Sequence, residues 1–478
     1  MATPLYQYAT LAGARQQLAN RLYDSGMVFW ISAELTLYIQ EALRTWNSMA
    51  QYWRGDSTFA PVPGQQWYDL TQVANTLRPY TVLDTDLYTL MEYQLLEPVA
   101  GNFPLIGAWT GTKMFTIDDL QNAVQRRRDE ILSITGCVVT RSVVALTPNE
   151  TRTVLGDKTI DVRRVAYFPV EVDGGFGGGG FGDGGFGGDD NGDPNVLYPD
   201  DNWGFQAFEP DWTTQTPGRP SSYAMSAQPP LSFDVDVPPA LPGTYELLTM
   251  NAGPQLTPTT PTLIGIPDDF FWVLKWGALA DLLSKESEAK DTVRAEYCEK
   301  RYKQGLALLT NSPAALQIRV NNVPIWMDAV RTADEFDVGW QALTEDVPKA
   351  AYVAGLNLIA LSPRPPVVDP TNPAISITAT VVQNAPLPVA DGDFIQVGRD
   401  EYDVILDYAQ HLALFKCAGF EFTETAQLYA RFVRQAAIYN GKLKELGEFK
   451  DELYANSHKE ETFNPRLSPT RAGDTGEE

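Results

Sequence analysis

Imidazole is nearly absent from this chain: His411 and His458 are the two histidines in 478 residues. A Ser/His/Asp triad or an imidazole-rich metal site would have to use one of them. His411 lies in ILDYAQHLALFK, a helical pattern where a packed core histidine is expected, and His458 lies in a polar tail. Cysteine is as scarce. Cys137, Cys298 and Cys417 stand far apart in apolar contexts, which excludes a CxxC pair and points to free thiols in a reducing compartment. GxSxG, HExxH and P-loop patterns are missing too. No run approaches the roughly 20 apolar residues of a membrane span, and MATPLYQYATLAGARQQLANRL lacks the basic stretch and apolar core of a secretory signal. A soluble cytoplasmic product with no membrane partner is expected. Positive charge is short as well: 36 Lys and Arg face 61 Asp and Glu, for a net charge of −25. Gripping phosphates needs clustered cations, so a nucleic-acid-binding surface is disfavoured. An acidic wall would still let a duplex pass without adhering.

Glycine, by contrast, is concentrated in GGFGGGGFGDGGFGG (174–188), where Gly175, Gly177 and Gly180 satisfy GxGxxG and Gly182, Gly184 and Gly187 satisfy it again. That fingerprint cradles phosphate only when a strand leads into it and a helix follows at once. The strand is there, in DVRRVAYFPVEV (161–172), but DDNGDPNVLYPDDNWG downstream forbids the helix. The segment reads as a flexible insertion, with Phe176, Phe181 and Phe186 spaced for neither helix nor strand. Asp189, Asn191 and Asp193 alternate as calcium ligands do, yet Pro194 occupies the position that needs Gly and no Glu closes the loop.

Helical periodicity is the strongest positive signal. ISAELTLYIQEALRTWNSMAQYW (31–53) repeats apolar residues at three and four, with Ser32 as a candidate cap. LAGARQQLANRLYD (11–24) and DDLQNAVQRRRDEILSITG (118–136) read as further helices, and STFAPVPGQQWYDL (57–70) as a hairpin turning at Pro63 and Gly64. From about 190 to 265 the chain is dense in Pro, Gly, Asp and Thr, and only short strands such as TYELLTM (244–250) stand out. Two helices follow in 266–309, starting at Pro267 with Asp268 and Asp269. A similar pair recurs at 399–416 and 425–446. Phe270 aligns with Tyr402, Leu274 with Leu406, Trp276 with Tyr408 and Leu282 with Leu414; either duplication or shared packing demands would produce this.

The order of three phrases resembles the head-to-tail connector (adaptor, or neck) proteins of tailed bacteriophages. FWISAELTLYIQEALRTW (29–46) matches a phrase of the type FWxxAELxxxIxEALRxW, and PGQQWYDL (63–70) matches PGQxxYDL. Residues 266–309 match an IPxxF start, a helix with GALAxLL and a second helix with AxYxxxRYxxGL. About half the chain is covered; the length, the glycine arm and the second helical pair depart from the smaller adaptors. The resemblance implies a non-enzymatic virion protein without cofactor or metal, made in the host cytoplasm and placed in the neck. It implies a ring of about twelve copies beneath the portal protein, contacting a tail or nozzle protein, with genome DNA passing through unbound. Twelve copies at −25 would bring about 300 negative charges to that ring. It also implies a C-terminal tail reaching into the portal. Residues 458–478 suit that role, with Pro465 keeping the chain extended and Phe463, Arg466 and Arg471 offered as anchors.

The expected fold is α+β: an amphipathic helical bundle with inserted short-stranded β regions and a helical hairpin that reads as duplicated. The expected organisation is a helical region with hairpin and strands at 1–172, a Gly- and Pro-rich insertion at 173–265, a helical hairpin at 266–310, a second mixed region at 311–457 and an extended tail at 458–478. Two other readings remain. A tail-tube or nozzle protein would need long hairpins for a barrel wall. A carbohydrate-active or carbohydrate-binding protein would use aromatics and paired acids such as Asp268/Asp269 and Asp200/Asp201, although such pairs more often cap helices or solvate loops.

Overall fold

Apolar residues at helical spacing fold into one large core built around the phrase that begins at Phe29. In the computed structural model, residues 6–73, 76–95, 114–170, 194–208, 210–226, 231–257, 260–286, 290–336, 339–341, 343, 345–367 and 374–453 are described. The helices are α1 (Leu11–Arg21), α2 (Ser32–Ala50), α3 (Asp84–Leu95), α4 (Ile117–Thr135), α5 (Asn202–Phe208), α6 (Phe271–Ser284), α7 (Thr292–Asn311), α8 (Val330–Phe336), α9 (Arg399–Leu414), α10 (Gly419–Glu424) and α11 (Ala426–Tyr439). α2 buries Leu35, Tyr38, Ile39, Ala42, Leu43, Trp46 and Met49 completely, and packs against α9, α11, α1 and α6. α4 is delimited by a capping box, Thr116 with Asp119, and by Gly136 in the left-handed conformation.

The strands are β1 (Arg54–Phe59), β2 (Trp67–Asp69), β3 (Thr140–Ala145), β4 (Arg152–Val154), β5 (Thr159–Pro169), β6 (Asn195–Asp200), β7 (Ser222–Ser226), β8 (Ser232–Val235), β9 (Gly243–Asn251), β10 (Gln317–Val320), β11 (Val323–Pro324), β12 (Trp326–Ala329), β13 (Ala350–Ala354), β14 (Leu358–Ser362) and β15 (Ile377–Val382). Two four-stranded sheets, ordered β1-β15-β10-β11 and β12-β13-β14-β2, share a core of Phe59, Tyr68, Ile318, Ile359, Leu361, Ile377 and Ala379. A seven-stranded sheet, ordered β3-β9-β5-β6-β7-β8-β4, curls around Val165, Tyr167, Leu197, Phe233, Tyr245 and Leu247.

This corrects the expectation of a helical bundle with minor β insertions. The protein is α+β, but with 43% helix and 23% strand, including the seven-stranded curled half-barrel. Three physical causes hid the sheets. Prolines in 190–265 punctuate the strands: Pro220, Pro238, Pro239 and Pro242 fall between them. β5 carries register shifts between Thr159 and Asp161 and between Val162 and Arg164, which break the alternation of two along its length. Pairing is also non-local. The expected hairpin at 57–70 does not form, because β1 pairs with β15 and β2 with β14, in different sheets.

The likeness of the two helical pairs has a packing cause. Phe270, Leu274, Trp276, Leu282, Tyr402, Leu406 and Tyr408 are all buried in the same core, with Leu414 packed partly against it. α6 and α7 approach closely through glycine: a Cβ at Gly305 would fall under 3.0 Å from Val273, and one at Gly277 would lie 2.8 Å from Tyr302.

Candidate functional site

α2 and α9 run antiparallel, and each end of the pair presents an unusual surface. At the first end, between α1 and α2, the chain turns through Tyr23–Ile31. Both carboxylate oxygens of Asp24 are occupied: one accepts from the Val28 N–H at 3.0 Å, the other from the Phe29 and Trp30 N–H groups at 2.9 Å each. These bonds, led by the one from Trp30, hold the Asp24 carboxyl below the usual carboxylate range. Trp30 anchors the loop by donating its indole N–H to the Ala413 carbonyl at 3.1 Å, and Lys416 donates to the Phe29 carbonyl and to Glu34. Burial raises the Glu34 carboxyl, opposed chiefly by Lys416. Tyr23 and Met27 adopt left-handed φ values of 57° and 52°. The loop thus displays apolar groups while its backbone is fixed: Tyr23 is 99% and Val28 83% exposed, with Phe29 and Ile31 exposed beside them. Ser32, the candidate cap, is the first helical residue and makes no capping bond.

At the other end, Gln51 leaves α2 in the left-handed conformation and Tyr52 and Trp53 follow. Trp53 donates to the Gln396 carbonyl at 3.0 Å, and the Gly398 N–H donates to the Tyr52 hydroxyl just before α9. A groove of about 1330 Å³ opens here, lined by Tyr6, Tyr52, Trp53, Leu387, Phe394 and Tyr439, with Arg54 and Arg399 on its wall. Tyr8, Val389 and Ile438 are exposed nearby. The sequence reading missed both surfaces. Their signals were present: an apolar run Met27–Ile31 directly after the turn residues Asp24-Ser25-Gly26, and a Pro-Leu-Pro segment at 386–388.

Between the two ends the core is polar at selected points. Glu41 of α2 and Lys275 of α6 form an ion pair with neither side chain exposed. Burial pushes the Glu41 carboxyl up and the Lys275 ammonium down, each opposed by the other's charge. His411 of α9 sits as expected in a packed helix: Nδ1 lies 2.8 Å from Thr425 Oγ1 and Nε2 lies 2.6 Å from the Tyr297 hydroxyl. Thr425 donates to the Phe422 carbonyl, so Nδ1 carries the proton and Nε2 accepts. Burial, then Arg301 and Lys275, hold the imidazole well below its usual range, so it stays neutral. Cys137 and Cys298 are buried free thiols and Cys417 is partly buried. Burial raises the Cys137 thiol to about 11.

The paired acids have structural tasks. Asp268 accepts from Thr81 and Val82 N–H groups, the Thr81 hydroxyl and Asn384. Asp269 accepts from Asn47 and the Ala385 N–H, and burial raises its carboxyl to about 6. Asp201 accepts from the Gly204 N–H at the start of α5, and Asp200 bonds the Asp201 N–H. Among the described residues no group of three His, Cys, Asp or Glu is placed to hold a metal ion, and no helix is long and apolar enough to cross a membrane. The glycine arm, Asp189, Asn191 and Asp193, His458 and the tail residues Phe463, Pro465, Arg466 and Arg471 lie outside the described residues. Comparison of the chain with protein-family models and with curated proteins finds no match.

Proposed function

We propose that this chain is a virion structural protein, a subunit of the ring that joins the portal to the tail of a bacteriophage and surrounds the path of its DNA. The loop Tyr23–Ile31 carries the reading: a free subunit gains nothing from holding Tyr23 and Val28 in solvent on a fixed backbone, whereas an assembling one uses them as contact surface. The phrases that resemble the connectors also lie together in space. α2 meets α6 through Asn47 with Asp269, Ser48 with Trp272 and Glu41 with Lys275, although more than 200 residues separate them in sequence. The bonds made by Asp268 and Asp269 weigh against a carbohydrate-active reading, since both carboxylates are buried and fully engaged.

A tail-tube or nozzle position is the second reading, and the half-barrel favours it: β5 and β9, of 11 and 9 residues, are long enough to form part of a wall. Electron microscopy of purified particles separates the two by position. The connector reading expects the full-length chain to co-sediment with portal and a chain lacking residues 458–478 to lose that association. Unchanged association of the shortened chain would refute docking through Phe463, Arg466 and Arg471; absence of the polypeptide from purified particles would refute both virion readings.

A further inference from the structure

We propose that the Tyr23–Ile31 loop of one copy seats in the groove at the opposite end of the α2–α9 pair of the next copy, so that subunits join head to tail. The proposal rests on the assembly reading above and names its contact. The two surfaces are unlike and lie about 28 Å apart, the length of the 19-residue α2. Unlike surfaces at opposite ends generate a heterologous contact, which closes into a ring when the rotation permits.

Shape and polarity favour the chain's own loop as occupant. The loop offers a rigid apolar projection in Tyr23, Val28 and Phe29, and the groove offers aromatic walls with room for several side chains. Charge favours it as well. Arg54 and Arg399 stand exposed at the groove and make no ion pair among the described residues: Arg54 donates to the Gln51 carbonyl and Arg399 lies over the Tyr8 ring. Beside the loop, α10 packs on the Lys416 segment and carries Glu421 and Glu424, both exposed. A chain with a net charge of −25 repels its own copies, so these cations at the groove mouth meet the acids beside the incoming loop. Asp393 and Glu401 at the groove are already engaged, by the Val389 and Ala390 N–H groups and by Tyr439.

Disulfide trapping between two single variants of the full chain tests this, in a Cys417→Ser background that removes the partly exposed native thiol. Val28→Cys places a thiol on the loop and Val389→Cys places one on the groove rim, where Val389 is 79% exposed. Oxidation of the mixture should give a cross-linked dimer, and neither variant alone should. A Val28→Cys chain that cross-links to itself would show a two-fold contact and overturn the proposal. So would the absence of a mixed cross-link from a chain that still assembles. A chain that never associates, even with portal present, would sink the assembly reading itself. As a second measurement, Tyr23→Asp with Val28→Asp should weaken self-association at least about 30-fold, as removal of central anchors does. Because both residues face solvent, subunit unfolding should not change; unaltered association would again overturn the proposal.

Discussion

Breaking the buried pair between Glu41 and Lys275 should destabilise the helical core in a way that depends on which partner is lost. Both side chains are completely buried, so either single change leaves a group that must neutralise or stay charged without a partner. In Glu41→Gln, Lys275 is left alone. Shedding its proton at pH 7 caps the cost at about 5 kcal/mol, at about 1.4 kcal/mol per pH unit below an ordinary lysine pKa. In Lys275→Met, Glu41 is left alone, and taking up a proton caps its cost at about 3 kcal/mol on the same scale. The signs differ. Burial drives Lys275 downward, so Glu41→Gln should recover stability as pH rises from 6 towards 9. Burial drives Glu41 upward, so Lys275→Met should recover as pH falls from 8 towards 5. The double variant, Glu41→Leu with Lys275→Met, should lie within about 1 kcal/mol of the parent, because apolar replacement of both partners removes the desolvation cost. Thermal unfolding followed by circular dichroism across this pH range measures all three. The reasoning is refuted if each single change costs less than about 1 kcal/mol, or if the double variant is as unstable as the two singles combined.

Neutral His411 contributes stability that is present above its ordinary pKa and lost as pH falls. The gap between the parent and His411→Phe should therefore shift against the parent by up to about 1.4 kcal/mol per pH unit below about 6.5. Asp269, raised to about 6, acts in the opposite sense, favouring the fold as pH falls, so the difference between the two proteins in parallel melts is the readout. Gly305→Ala should cost about 1–3 kcal/mol by forcing α7 off Val273, visible as a lower unfolding midpoint; no change would mean that the helices separate freely. Asp24→Ala should loosen the loop without unfolding the core. Faster amide exchange at Val28, Phe29 and Trp30 is the expected result, and unchanged protection there would refute Asp24's role.

The legible part of the fold was the part whose contacts are local. α2, α4, α6, α7 and α9 follow from apolar residues recurring at helical spacing, and β9 from the run TYELLTM. α3 went unread because its buried face includes Asp84, Thr85, Glu92 and Gln94, which dilute the apolar stripe. The β architecture was hidden for a different reason. The pairing of Arg54 with Val382 joins residues more than 300 positions apart, and no local pattern encodes it. β14 is buried on both faces, Ile359 and Leu361 on one side and Leu358 and Ala360 on the other, so its alternation disappears. The loop at Tyr23 lay in plain view as letters, but its rigidity depends on one carboxylate reaching three amides, which no periodicity reports. The groove likewise exists only once Tyr6, Trp53, Leu387 and Tyr439 are brought together from four separate segments.

The central claim is that this chain exists to contact copies of itself through two unlike ends. Native mass spectrometry of the purified full-length protein over a range of concentrations, alone and with portal, tests it most directly. The account predicts a closed species containing one discrete, repeated number of subunits, appearing as concentration rises or when portal is added. A monomer at every concentration under both conditions would contradict it.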